Sequence, residues 1–204
     1  MLTFALYGRP VSGSLSPAMH NAAFAAAGLE ARYEAVDVAP GDLEDAFRRA
    51  VRSGFGGLNL TVPHKVAGMA FCDELSSGAR LAGAVNTVVF HGGKAFGYNT
   101  DVSAMEQVIK RWLVNRAGRP PRGPRSSPRA PGFRVAVLGA GGAARAAALA
   151  AAGTGASLVA LSGRTRETAE RTAADLQANL GTSTLGPSTA FEAFAVSDLL
   201  ADLD

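Results

Sequence analysis

Residues 133–152 read FRVAVLGAGGAARAAALAAA. Phe133 to Leu138 is a short apolar run with two valines, the pattern of a strand buried on both faces. It passes directly into Gly139-Ala140-Gly141-Gly142-Ala143-Ala144, and the alanine-rich stretch that follows strongly favours helix. Gly-x-Gly-x-x-Gly/Ala set between a strand and a helix is a phosphate-binding turn. Gly139 permits the tight turn, Gly141 lets the backbone approach a pyrophosphate, and Ala144 lets the helix pack close to the strand. The helix N-terminus then offers unpaired N–H groups and a positive dipole end to the phosphates. A plain tight turn in an alanine-rich chain is the alternative, and the flanking strand and helix weigh against it.

The next strand sharpens this reading. Ser157 to Leu161 is the second apolar run, and an acidic residue near its end would hold a ribose 2′-hydroxyl. The chain instead reads Ser162-Gly163-Arg164-Thr165-Arg166. Two arginines and a threonine suit a 2′-phosphate, which points to NADP rather than NAD. A solvated basic turn is the competing explanation for the same residues.

A length of 204 residues allows one large or two small domains, and a hydrophobic fraction of 48% fits an α/β protein with a real core. Met1 to Pro10 has neither the basic start nor the apolar run of a secretory signal, and no stretch is apolar enough to span a membrane. A cytoplasmic protein with no membrane partner is therefore expected. Cys72 is the single cysteine, so an internal disulfide and a cysteine metal site are excluded. Arg116 to Pro131 holds five arginines, five prolines and no acid; without it the net charge falls from +3 to −2. A nucleic-acid partner would have to rest on that segment, which lacks interleaved aromatics, and none is expected.

Along the chain, Thr3 to Tyr7 reads as a strand. Ser16 is a good N-cap and Pro17 suits the first helical position of a helix that runs through His20, Asn21 and Phe24 to Gly28. Ser14 and Ser16 are either turn and cap residues or two hydroxyls that converge with the helix N-terminus on an anion such as a carboxylate. Tyr33 to Val38 is a second strand, and Asp42 to Ser53 an amphipathic helix with Leu43, Phe47, Ala50 and Val51 on one face, closed by Gly54.

In Gly56 to Lys65, GGLNLTVPHK, Leu58, Leu60 and Val62 alternate with Asn59 and Thr61 until Pro63 ends the strand. Lys65 thus stands at a strand's carboxyl end, where open α/β sheets place their sites. The chain uses three lysines against seventeen arginines, and a lysine can act as acid or base where an arginine cannot. A surface lysine beginning a helix remains the alternative. Ala82 to Phe90 is another apolar run, carrying Asn86 and Thr87. His91-Gly92-Gly93-Lys94 is a hairpin turn, and Thr100 or Asp101 could cap a helix over Val102 to Leu113. His64 and His91 read as ordinary loop residues. A helix over Glu167 to Leu180 and a loop over Gly181 to Pro187 follow, and no strand is assigned after them.

Together SGSLSPAMHN, NLTVPHK, AGAVNT, GYNTD and GAGGAARA, in this order, resemble the shikimate dehydrogenase family over residues 1 to about 180. The resemblance implies an α/β substrate-binding domain over 1–113, an Arg/Pro-rich linker over 114–131, and a partial, Rossmann-like doubly wound nucleotide domain over 132–204. It implies NADPH-dependent reduction of 3-dehydroshikimate to shikimate, in the pathway to aromatic amino acids, and admits a homodimer. Ser14 and Ser16 would hold the substrate carboxylate, while Thr61, Asn86 and Asp101 would meet the ring hydroxyls. Lys65, with Asp101 beside it, would be the acid/base. Gly139, Ala140, Gly141, Gly142 and Ala143 would bind pyrophosphate, and Arg164 with Thr165 the 2′-phosphate.

The chain departs from the family pattern in four places. Gly163 stands for an asparagine, and Thr168 for a basic residue that Arg166 could replace. Val102 stands for a glycine, the linker is an insertion, and the sequence stops where the family continues. A non-catalytic member that binds a shikimate-like ligand and part of NADP is therefore the alternative expectation.

Overall fold

The computed structural model describes residues 1–117, 133–181 and 189–194. The chain forms two compact units, Met1–Thr100 and Asp101–Asp204.

The first unit is built on a six-stranded sheet. Its strands are β1 (Leu2–Gly8), β2 (Ala31–Asp37), β3 (Gly57–Leu60), β4 (Glu74–Leu75), β5 (Thr87–His91) and β6 (Lys94–Tyr98). They lie in the order β2-β1-β3-β5-β6-β4. β1 is parallel to both β2 and β3, whereas β5 is antiparallel to β3 and to β6. α1 (Ser16–Ala26) joins β1 to β2, and α2 (Leu43–Arg52) joins β2 to β3. The two helices cover opposite faces. Ala5 and Tyr7 of β1 join a core with Leu43, Ala46 and Phe47 of α2, while Leu6 and the partly buried Phe4 pack with Tyr33 and Phe24 of α1.

Both helices end as their glycines predict. Past α1, Gly28 (φ +65°) donates to Ala25 C=O and Leu29 to Phe24 C=O; past α2, Gly54 (φ +70°) donates to Val51 C=O and Phe55 to Ala50 C=O. These are paired Schellman bonds, and a left-handed residue is what they require. The start of α1 differs from expectation. Its cap residue is Leu15, and Ser16 makes no side-chain cap; the N–H of Ser16 donates instead to Ser14 Oγ at 3.2 Å. On α2 the buried face is Leu43, Ala46, Phe47 and Ala50, with Val51 left 38% exposed.

Ala82 to Val85 is not strand. Ala82 ends a short helix, α3 (Ser77–Ala82), and Gly83 (φ +62°) turns the chain, so β5 begins only at Thr87. Buried apolar residues serve a helix end and a turn there, which composition alone does not distinguish from a strand. The hairpin forms as expected: Gly92 and Gly93 both have positive φ, the requirement of a two-residue I′ turn.

The helix that begins at the boundary, α4 (Thr100–Ala117), runs four residues past the expected end at Leu113. In the second unit β7 (Arg134–Leu138), β8 (Leu158–Ser162) and β9 (Ala190–Ala193) form a parallel sheet in that order, connected by α5 (Gly142–Gly153) and α6 (Arg166–Gly181). β9 is a third strand where the sequence suggests none. β7 corrects a second expectation, because it is not buried on both faces. Val135 and Val137 are partly buried, while Arg134, Ala136 and Leu138 are exposed. Of the expected linker, residues 118–131 lie outside the described residues, as do the greater part of the loop after Gly181 and the chain after residue 194. No helix among the described residues is long and apolar enough to cross a membrane, and no cluster there could hold a metal ion.

Candidate functional site

The strand order of the first unit decides where a site can form. From β1 the chain crosses to β2 on one side and then returns past β1 to β3 on the other. Open α/β sheets bind ligands beyond the carboxyl ends of strands at such a reversal. The loop after β1 carries Ser14 and Ser16, and the turn after β3 carries Thr61 and Lys65. The two loops are joined by the main chain: Arg9 N–H donates to Val62 C=O and Thr61 N–H to Tyr7 C=O, both at 2.9 Å. Their approach is close enough that Gly8 admits no side chain. A Cβ there would overlap Thr61 Cγ2 and stand 2.9 Å from Val62 O.

Ser14 and Ser16 are half-buried, and the Ser14 hydroxyl donates to Ser16 Oγ at 3.1 Å. Asp37 Oδ1 accepts from Val11 N–H at 3.2 Å and steadies the loop before them. Asn21 of α1 takes both polar groups of Tyr33, donating to its C=O and accepting from its N–H at 2.8 Å each. This clamp seats α1 on the edge strand β2 and protects that edge. The Tyr33 ring stacks on His20 at 4.3 Å, and burial pushes its hydroxyl up to about 12.

Asn86 is 8% exposed and is held by its neighbours. Its Oδ1 accepts from Thr100 N–H at 2.9 Å and Thr87 Oγ1 at 3.0 Å, and its Nδ2 donates to Thr100 Oγ1 at 2.9 Å. The network continues inward: Asn59 Nδ2 donates to Asn86 C=O and Thr87 Oγ1 at 3.2 Å each, and Asn59 Oδ1 accepts from Tyr33 at 2.7 Å. Lys65, half-buried, accepts at its C=O from Val85 N–H at 2.7 Å, one residue before Asn86. Thr61, Lys65 and Asn86 therefore share one bonded framework. Asp101, half-buried, lies in the first turn of α4 immediately after Thr100 in the chain.

His64 is not the ordinary loop residue that its sequence context suggests. It is 1% exposed, and its Nε2 meets Val38 C=O at 2.8 Å. A carbonyl only accepts, so Nε2 is the donor. Nothing in the sequence marks this histidine out, since its partner lies 26 residues away. Two recesses of the first unit, of about 530 and 300 Å³, are lined by none of the site residues selected from sequence. Cys72 lines the larger one. Burial, with the neighbouring Asp73 carboxylate, pushes its thiol up to about 11.

In the second unit, Gly139 has φ +144°, and a Cβ there would stand 3.3 Å from the Ala144 methyl. The strand–helix packing read from Ala144 is thus observed. The turn is held on two sides: Gly139 N–H donates to Ser162 C=O at 2.7 Å, and the buried Thr172 hydroxyl to Ala140 C=O at 3.1 Å. Gly141 caps α5, and a Cβ there would meet nothing within 4 Å. Gly142 and Ala143 form the first turn of the helix. Arg145, also unmarked by sequence, is buried and bonds Asp175 Oδ2 at 2.5 Å, bracing α5 against α6.

Beyond β8, Thr165 Oγ1 accepts from Thr168 N–H at 3.2 Å and caps α6. Arg166 pairs with Glu170 at 2.9 Å. Arg164 is exposed and has no ion pair among the described residues. The three residues read as phosphate ligands therefore separate into a cap, a paired side chain and an available one.

Residues 6–88 match the family described as the shikimate dehydrogenase substrate binding domain. The chain is 47% identical over 176 residues to a shikimate dehydrogenase (NADP(+)) of Methanopyrus kandleri, covering 86% of this chain and 56% of the relative. The crystal structure of shikimate dehydrogenase from Aquifex aeolicus superposes with a TM-score of 0.76 at 32% identity, covering 100% of this chain and 66% of that one. That of the Thermus thermophilus shikimate 5-dehydrogenase with NADP(H) and shikimate gives 0.67 at 39% identity, covering 86% and 61%. The chain spans 53–60% of the length of the curated relatives it matches. With its substrate-binding sheet and its second, partial Rossmann-like sheet, the chain belongs to the shikimate dehydrogenase family.

Proposed function

We propose that the protein reduces 3-dehydroshikimate to shikimate with NADPH, and that the first unit holds the substrate. The observation that carries this reading is the coincidence of two independent features. Residues matched by the substrate-binding family include Ser14, Ser16, Thr61, Lys65 and Asn86, and the first four lie beyond the carboxyl ends of β1 and β3, at the reversal of strand order.

The two serine hydroxyls are the donors for the substrate carboxylate, at the start of α1 where the helix dipole adds to them. Thr61, Asn86 and Asp101 take the ring hydroxyls, and the bonded framework around Asn86 fixes its amide. NADP fits the second unit: the N-terminus of α5 is open at Gly141, no acid stands between β8 and α6, and Arg164 is available for a 2′-phosphate. When bound, NADPH supplies hydride to the carbonyl carbon. The oxygen of that carbonyl then gains negative charge, and Lys65 both offsets it and delivers a proton to it. In the reverse direction Lys65 accepts the hydroxyl proton.

Binding and turnover are measured separately. Shikimate titrated into the purified chain by calorimetry should bind, and Ser16→Ala with Thr61→Val should weaken it. Shikimate-dependent reduction of NADP tests the full reaction. Undetectable shikimate binding, or binding indifferent to both substitutions, removes the substrate assignment.

A further inference from the structure

We propose that His64 is the positioning residue of the Thr61–Lys65 turn: its buried imidazole ties that turn to the end of β2 and so sets where Thr61 and Lys65 stand. The proposal rests on the reading of those two residues as substrate-facing. Two sides of the turn are held by main-chain bonds. Thr61 to Tyr7 and Arg9 to Val62 join it to the end of β1, and Val85 to Lys65 joins it to the stretch that leads into Asn86. The third side faces β2, and there the tie is a side chain, His64 Nε2 to Val38 C=O at 2.8 Å.

Around that bond the packing is closed. His64 and Val38 are 1% and 2% exposed, so no water replaces the donor when it is removed. Val38 is itself fixed, its N–H donating to Gly8 C=O at 3.0 Å. The main chain of His64 is also committed, its N–H to Thr61 C=O at 2.7 Å and its C=O to Gly68 N–H at 2.8 Å. The imidazole is therefore held at both its root and its tip. It is a strut of fixed length between β2 and the residue preceding Lys65. The main-chain ties do not involve the side chain at 64, whereas this one depends on it.

The test uses the whole chain and two variants. His64→Leu removes the donor at similar volume, and His64→Gln keeps an N–H at similar reach. Amide hydrogen exchange at Val85 reads the Val85–Lys65 bond without ligand. It should quicken about 10-fold in His64→Leu, the equivalent of one buried hydrogen bond, and stay near parental in His64→Gln. Shikimate affinity, measured well below the melting transition, should fall about 10-fold in His64→Leu and recover in His64→Gln. A merely structural role lowers the melting temperature and leaves that affinity alone. Unchanged Val85 exchange, or faster exchange with unchanged affinity, overturns the proposal. If His64→Leu does not fold, His64→Gln is compared with His64→Asn, whose amide falls one carbon short; equal exchange and affinity in that pair overturns it too. A parental chain that does not bind shikimate sinks the substrate assignment instead, and the exchange measurement still decides the strut.

Discussion

The two parallel-strand regions of this molecule cover their sheets differently. In the first unit β1 is packed on both faces, Ala5 and Tyr7 toward α2, Phe4 and Leu6 toward α1. In the second, α5 and α6 serve one face, where Val159 and Leu161 are fully buried and Phe191 nearly so. The other face carries exposed Arg134, Ala136, Leu138, Ala190 and Glu192. Strand order is the cause. The order β2-β1-β3 sends successive crossovers in opposite directions, and right-handed crossovers then put their helices on opposite faces. The order β7-β8-β9 sends both crossovers the same way, so both helices fall together. Such a reversal is also where open α/β sheets bind ligands, beyond the carboxyl ends of their strands. One topological fact thus bears on both packing and chemistry.

The largest expected effect tests the chemical side of that contrast. Lys65→Ala should lower shikimate-dependent NADP reduction by about 10²–10⁴-fold, the usual contribution of a general acid–base group. Shikimate binding and the melting temperature should hardly move. Near-parental turnover would remove Lys65 from the mechanism and leave the strand reversal without its acid.

Next come the two faces of the second sheet. Leu161→Ala should cost about 2–5 kcal/mol, because Leu161 is 0% exposed beneath the helices. Denaturant unfolding reads this directly. Arg164→Ala should weaken NADPH by about 10- to 150-fold, the loss of one charge-assisted hydrogen bond of roughly 1.5–3 kcal/mol. NADH should be nearly unaffected, and an equal loss for both would make Arg164 structural. The smallest effect closes the comparison. Leu138→Ala should change stability by no more than about 0.5 kcal/mol, since Leu138 is 71% exposed. A cost like that of Leu161→Ala would show that the second face is covered in solution.

Much of the candidate site is legible in the sequence because its parts are local. Gly139 followed by Gly141, Gly142 and Ala143 between a strand and a helix is a pattern within ten residues, and the positive φ it calls for falls on Gly139 itself. Gly28, Gly54 and the Gly92-Gly93 turn are readable for the same reason, since a positive φ is a property of one residue. Ser14 and Ser16 are identifiable as a pair but not in role. Neither caps α1: the cap residue is Leu15, and the Ser16 N–H donates to Ser14 Oγ instead.

By itself, then, the sequence determined the α/β class, the alternation that builds both units, the glycine-rich turn after β7 and the glycine-closed ends of α1 and α2. Each of these follows from short-range sterics, propensity and periodicity. Only the tertiary structure decided that β7 is open on one face, that Ala82 to Val85 turns rather than extends, and that Asn21 and His64 are anchors. Arg145, Thr172 and Asn59 belong with them. The partners of these residues lie 12 to 32 positions away, and their meaning is a matter of who fills the space beside them. A buried polar side chain is identified by its partner, and partners are chosen by strand order and packing, which no local window of sequence contains.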